Sequence, residues 1–230
     1  MSHNATQSRI ELPFSDKYDD QHSRNYFKKH RDGLRRRMSN VRDQQLARRA
    51  LALAGEPEYV LDLPCGAGRF WETLSAHPSR SIIAADNSAS MLDVARRSCR
   101  PELLERITLL QTSAFAIDLP DRSVDSVFCM RLLHHIGDAE HRQSMLREFR
   151  RVTRDTVIIS LWVDGNYMAW RRMAQEAKRR TQGKTAYQNR FVLPRATVES
   201  EFASAGFKIV GHLDFIPLHS MWRVYVLRVE

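Results

Sequence analysis

Cysteine is scarce in this chain: three in 230 residues, Cys65, Cys99 and Cys129. An odd and scattered set excludes a disulfide framework and a zinc cluster. Reduced thiols are expected, and Cys65 reads as a small residue filling a turn rather than a nucleophile. Long apolar runs are missing too; none approaches the roughly 18 residues that a membrane span requires. Met1 to Arg9 is polar and no apolar segment follows, so no secretory leader is expected and a cytoplasmic location is the default. No GK[ST] element occurs, which excludes a P-loop, and there is neither internal repeat nor low-complexity tract.

Acidic residues are outnumbered, 27 to 36, giving a formal charge of +9. The excess is uneven: 12 Lys and Arg against 6 Asp and Glu in Met1–Ala50, and 8 against 1 in Gly165–Arg195. Such surfaces attract nucleic acid, phosphorylated molecules or anionic membranes, or are plain solvated faces. With 43% hydrophobic residues the chain is long enough for one α/β domain plus a small appendage.

Met1–Lys17 has no period and reads as a loose tail. Tyr18–Leu53 favours helix, with Tyr26, Phe27, Leu34, Met38, Val41 and Leu46 forming an apolar stripe broken at Gly33 or Ser39-Asn40. Beyond it, short β-forming runs alternate with helical ones. Strands are expected at Tyr59–Leu63, Ser81–Ala85, Ile107–Leu110, Val124–Met130 and Thr156–Trp162, and helices at Arg69–His77, Ala89–Cys99 and Ala139–Val152. A basic, partly helical insertion, Gly165–Arg190, precedes a helix at Ala196–Ala205 and strands at Phe207–Ile216 and Trp222–Val229. This alternation predicts a doubly wound, Rossmann-like α/β fold: a seven-stranded, mostly parallel sheet whose last strand is antiparallel. Residues 1–53 form a basic helical arm over the cleft, and 54–230 the main domain.

The most informative stretch is EYVLDLPCGAGRF, Glu58–Phe70. A strand runs into Pro64, Cys65, Gly66, Ala67 and Gly68, where small residues let the backbone approach a ligand. Asp86 closes the next strand, 24 positions after Asp62, where a carboxylate can accept from both hydroxyls of a ribose. A strand-end Asp capping a turn is the plainer alternative. Pro64 and Arg69 break the usual dinucleotide fingerprint.

These residues resemble the class I S-adenosylmethionine-dependent methyltransferases, of the small-molecule type related to ubiquinone and menaquinone biosynthesis. The resemblance runs from about Tyr59 to Val229 through VLDLPCGAGRF, IIAADNSASMLDVAR, AIDLPDRSVDSVFCMRLLHHI and LREFRRVTRDTVIISLW. It implies S-adenosyl-L-methionine as cofactor, with Asp62 and the turn Cys65–Gly68 facing its methionine part. Asp86 would hold the ribose, Asn87 and Met91 would lie by the adenine, and Ser113 and Ala114 would bracket its edge. Cys129, Met130 and Arg131 would line the cofactor side of the fourth strand's end. Pro64 stands where relatives more often have glycine, and Ser113 where many have Asp. An arm arginine such as Arg37 would grip the cofactor's carboxylate.

Methyl transfer needs alignment more than elaborate chemistry, and a base only when the acceptor must lose a proton. His134 and His135 follow the fourth strand, and His135 is the stronger candidate by resemblance. Substrate contacts are expected from the arm and the insertion: Tyr18, Tyr26, Phe27, Trp162, Tyr167, Trp170, Tyr187 and Phe191 as aromatic surface, and Arg36, Arg37, Arg171 and Arg190 as charge for an acidic group. The expected function is methyl transfer to a small anionic molecule. An RNA methyltransferase is the alternative that the charge suggests, although no RNA-binding module or NPPY-like element is present. A cofactor-binding protein without turnover is the third.

Overall fold

The computed structural model describes residues 34–183 and 189–230, without the side chains of 34–36. The expectations for the tail, for Tyr18, Tyr26, Phe27 and Tyr187, for a break at Gly33 and for the Arg36 side chain lie outside the described residues.

Seven strands form one sheet: β1 (Tyr59–Asp62), β2 (Ser81–Asp86), β3 (Ile107–Gln111), β4 (Val124–Cys129), β5 (Thr153–Trp162), β6 (Phe207–Asp214) and β7 (Trp222–Val229). Their order is β3-β2-β1-β4-β5-β7-β6. The first five are mutually parallel, and β7 lies antiparallel between β5 and β6. The expected architecture is the observed one. β1 pairs with β2 on one side and β4 on the other, so a crevice opens at the carboxyl ends of these three strands. Because β7 is reversed, its first residue, Trp222, pairs with the last residue of β5, Trp162.

Helices cover both faces. Buried side chains of α1 (Leu34–Leu53), α2 (Trp71–Leu74) and α3 (Ala89–Ser98) pack with Val60, Ile82, Phe128, Ile158 and Val226 in one core layer. Those of α5 (Ala139–Val152) and α7 (Arg195–Ser204) pack with Leu61, Val127, Val157, Ile159 and Leu227 in the other. Neighbouring strand residues thus feed opposite layers, and runs such as VIISLW stay apolar because both faces are covered. α4 (Pro101–Leu104) and α6 (Tyr167–Thr181) complete the set.

Two local expectations are corrected. α1 runs unbroken through Ser39-Asn40, and its anticipated stripe faces outward at Met38 and Val41, which are 65% and 54% exposed. Leu46 is buried as expected, joined by Ala47, Ala50 and Leu51, and the small alanines let the helix axis approach the sheet. Arg42 adds hydrogen bonds to the carbonyls of Phe215 (2.8 Å) and Asp214 (3.2 Å). α2 is one turn rather than Arg69–His77. Its end is held by buried Arg80, which donates to the carbonyls of Leu74 (3.0 Å) and Pro57 (2.7 Å) and to Glu56 (2.6 Å).

Candidate active site

The turn after β1 is built from backbone conformations that favour glycine. Gly66 and Gly68 have φ of +54° and +74°. Their reasons differ. A Cβ on Gly68 would lie 2.7 Å from the buried Trp71 ring, whereas one on Gly66 would meet only Met91 Cε at 3.8 Å. Gly68 therefore answers to packing beneath the turn, and Gly66 leaves space above it. The missing N–H of Pro64 falls between two that serve the sheet: Leu63 donates to Phe128 (3.1 Å) and Cys65 to Ala85 (2.8 Å). Cys65 is buried, and burial pushes its thiol up beyond ordinary reactivity, as it does that of Cys129.

Asp86, buried at the end of β2, clamps this turn. Its Oδ2 accepts from Gly66 N and its Oδ1 from Ser88 N, both at 3.0 Å. Burial raises its pKa, and the backbone N–H groups of Ser88, Gly66 and Asn87 pull it part of the way back. A carboxylate has lone pairs beyond those the backbone uses, which a hydroxyl can meet. Asp62, at the end of β1, is 1% exposed, and neither carboxylate oxygen has a hydrogen-bond partner. The neighbouring Trp71 indole N–H favours the charged form but stops short of a completed bond. Burial, with repulsion from Asp86 behind it, lifts the Asp62 carboxyl well above the usual carboxylate range.

Met91 is buried beside Gly66, Asn87 is exposed past the end of β2, and Ala114 is buried. Ser113 Oγ accepts from Phe115 N at 3.2 Å, which fixes that loop. The Asp86 backbone carbonyl reaches the same loop through Thr112 N, at 3.0 Å. Cys129 and Met130 are buried, and Arg131 follows them with φ of +66°. The Arg131 N–H donates to Ser160 Oγ at 2.7 Å. The Asp62, turn, Asp86, 113–114 and 129–131 expectations all fall at one edge of the sheet.

Arg37 is exposed, and other arm residues face the turn. Asp43, 4% exposed, pairs with both Arg69 and Arg131. Asn40 Oδ1 accepts from Arg69 Nε at 2.9 Å, and Gln44 Nε2 donates to the Arg69 carbonyl at 2.9 Å. None of these three was singled out from sequence as a site residue. The signal was present, because Asp43 is the one acid in a 20-residue segment rich in arginine.

His134 and His135 lie in a short 3-10 turn, Leu133–His135. His134 is 3% exposed, with ring centroids 4.7 Å from Trp222, 5.0 Å from Trp162 and 4.0 Å from His135. Burial lowers its pKa to about 2, helped by His135 and by Arg190, Arg131 and Arg172. His135 is half-buried, and its Nδ1 lies 2.6 Å from the Asn189 carbonyl. A carbonyl can only accept, so Nδ1 carries the proton and Nε2 the lone pair. Burial lowers its pKa as well.

Three cations surround this aromatic group. Arg131 lies 4.5 Å from the Trp222 ring centroid, and Arg172 and Arg190 lie 5.0 and 5.9 Å from that of Trp162. Arg131 Nε and Trp162 Nε1 are buried donors without an acceptor. Phe191 is half-buried against Gly137 and donates its N–H to the His134 carbonyl at 2.8 Å. Tyr167, Trp170 and Arg171, expected as substrate contacts, are exposed on α6. The residue of this helix that faces the site is Arg172, which sequence reading passed over for Arg171.

Residues 60–156 match the family described as Methyltransferase domain. The chain is 35% identical over 99 residues to the demethylmenaquinone methyltransferase of Thermus thermophilus, covering 42% of this chain and 44% of that one. It is 32% identical over 102 residues to a ubiquinone/menaquinone biosynthesis C-methyltransferase of Hahella chejuensis, covering 41% and 38%. The chain spans under half the length of the curated relatives it matches. In fold it is similar to magnesium protoporphyrin IX methyltransferase from Synechocystis, solved with SAH. The TM-score is 0.71 at 16% identity, over 94% of this chain and 97% of that one.

Proposed function

We propose that the chain is a class I S-adenosylmethionine-dependent methyltransferase that transfers a methyl group from S-adenosyl-L-methionine to a small anionic molecule, a reading supported by the family match over residues 60–156 and by the strand order. The observation that carries this reading is buried Asp62, unpartnered at both oxygens beside a glycine turn that Asp86 clamps. A carboxylate so placed requires a cation or donors from a ligand, and an amino acid's ammonium supplies both.

The residues fit the cofactor as follows. Asp62 and the turn Pro64–Gly68 take the methionine part, Asp86 the ribose hydroxyls, and Asn87, Met91, Ser113 and Ala114 the adenine. Cys129, Met130 and Arg131 line the far wall, and Arg37 is retained as the candidate for the carboxylate. When bound, the cofactor supplies a sulfonium methyl open to in-line attack. The chain supplies alignment and exclusion of water. His135 Nε2, neutral near pH 7, accepts the proton of a hydroxyl or amine acceptor as the bond to the methyl forms. His134, buried and held neutral, keeps its neighbour's ring in place.

An anionic acceptor is supported by Arg131, Arg172 and Arg190 around the tryptophan pair, and by the free donors Arg131 Nε and Trp162 Nε1. The quinone-related names of two relatives favour a planar acceptor of the ubiquinone and menaquinone type. Isothermal titration with the cofactor and its demethylated product tests the first step, and absence of heat at high micromolar concentration would sink the proposal. Transfer of labelled methyl into a metabolite extract then tests turnover and reports the acceptor.

A further inference from the structure

Most surface helices turn their apolar face inward, and α6 does the opposite. At 100° per residue, Tyr167, Trp170, Met173 and the small Ala174 and Ala177 share one side, while Arg172, Glu176 and Arg179 share the other. The polar side faces the protein: Arg172 reaches over Trp162, donates to the Arg190 carbonyl at 2.9 Å and pairs with Glu176 at 3.1 Å. The apolar side faces water, with Tyr167, Trp170 and Met173 exposed by 49%, 67% and 56%.

The patch continues beyond the helix. Tyr167 N donates to the Leu218 carbonyl (2.9 Å) and Met168 N to that of His219 (3.0 Å), and the Tyr167 ring stacks on His219 at 5.5 Å. These bonds bring Leu218, 84% exposed, against Tyr167 and Trp170, where they line a groove of about 510 Å³. Exposed cations flank the helix, Arg171 and Lys178 on one side and Arg180 on the other. The helix's one acid, Glu176, is turned away and already paired with Arg172.

We infer that this face docks on an anionic membrane surface, with α6 lying in the plane of the headgroups and Trp170, Met173 and Leu218 inserted. The charge decides the occupant. A protein groove would meet the apolar stripe with acids at defined points, whereas a stripe centred on Trp170, with Tyr167 at its edge and cations bordering both sides, matches an anionic bilayer interface. No described helix is long and apolar enough to cross a membrane, so the contact is peripheral. The helix that faces lipid outward also presents Arg172 inward, so docking places the candidate acceptor site beside the headgroup layer.

The test is co-sedimentation of the full chain with phosphatidylcholine vesicles, with and without about one third phosphatidylglycerol. The expected result is binding to the anionic vesicles that weakens with salt and drops about tenfold or more in Trp170→Glu and in Leu218→Glu. Circular dichroism of both variants should match the parent, which separates lost docking from lost folding. Three results would each overturn the inference: no sedimentation at low salt, equal sedimentation of the folded variants, or self-association that Trp170→Glu abolishes while vesicle binding is absent.

Discussion

Asp43 and Arg131 stand 88 positions apart in the chain and form an ion pair that Arg69 shares. One buried carboxylate thus joins the N-terminal helix to the end of the glycine turn and to the end of β4. The helix is part of the wall of the candidate site. Removing the carboxylate leaves two partly exposed arginines to repel one another. Asp43→Asn is expected to cost about 1–3 kcal/mol of stability, read by urea unfolding, and to weaken cofactor affinity. Unchanged affinity in the folded variant would confine Asp43 to a structural role.

Asp86 accepts two backbone hydrogen bonds in addition to its proposed ribose contacts. Asp86→Ala should lower affinity for the demethylated cofactor by about tenfold to a hundredfold, the scale of charged hydrogen bonds. Asp86→Asn keeps an acceptor and should fall between Ala and the parent. Calorimetric titration ranks the three.

The two glycines of the turn separate packing from conformation. Gly68→Ala combines a positive φ with a 2.7 Å approach to Trp71, and should destabilise by about 2 kcal/mol or more. Gly66→Ala meets only the conformational cost, about 1–2 kcal/mol. Thermal unfolding should order them so; the reverse order would mean that the Trp71 ring yields freely.

Acid stability should report His134. Above about pH 6.5, neither state of the imidazole is charged. Below it the unfolded chain takes up a proton that folded His134, at about 2, refuses. Stability therefore falls on acidification, by up to about 1.4 kcal/mol per pH unit. Asp62 and Asp86 act with the opposite sign: their folded pKa values are raised, so acidification toward 3.8 favours the folded state. His134→Gln should flatten the decline between pH 6.5 and 5. An identical pH profile would place the titrating group elsewhere.

An ammonium bound at Asp62 reverses the effect of burial and drives its carboxyl down. Cofactor affinity should then weaken as pH falls and free Asp62 protonates, with Asp62→Asn losing most of that pH dependence. Titration calorimetry at several pH values measures both the slope and the proton release.

The sheet was legible because it rests on local signals, and the residues proposed to hold the cofactor were picked out by signals of the same kind. Doubly covered strands such as VIISLW are continuous apolar runs, and the spacing from Asp62 to Asp86 follows from one strand, turn and helix. Asp43 was missed because its partners are remote and its neighbours in sequence are arginines. The outward-facing part of the expected stripe on α1 has a related cause. Met38 and Val41 fit a helical period, but small Ala47 and Ala50 make the close contact with the sheet. Tyr167 and Trp170 were expected as substrate contacts from their place in the insertion, and no local rule could show that α6 turns its aromatic side outward. The +9 charge also resists reading by counting, since arginines such as Arg80 and Arg142 are buried against carbonyls and carboxylates.

The reversal of β7 gives this architecture an asymmetry of tolerance. Every parallel strand delivers its last residues to the edge that holds the candidate site, but β7 delivers its first, Trp222, and carries Val229 away to the opposite rim. A substitution near Val229 would therefore loosen hydrogen bonds far from the candidate site, whereas one at Trp222 removes the ring against which Arg131 rests.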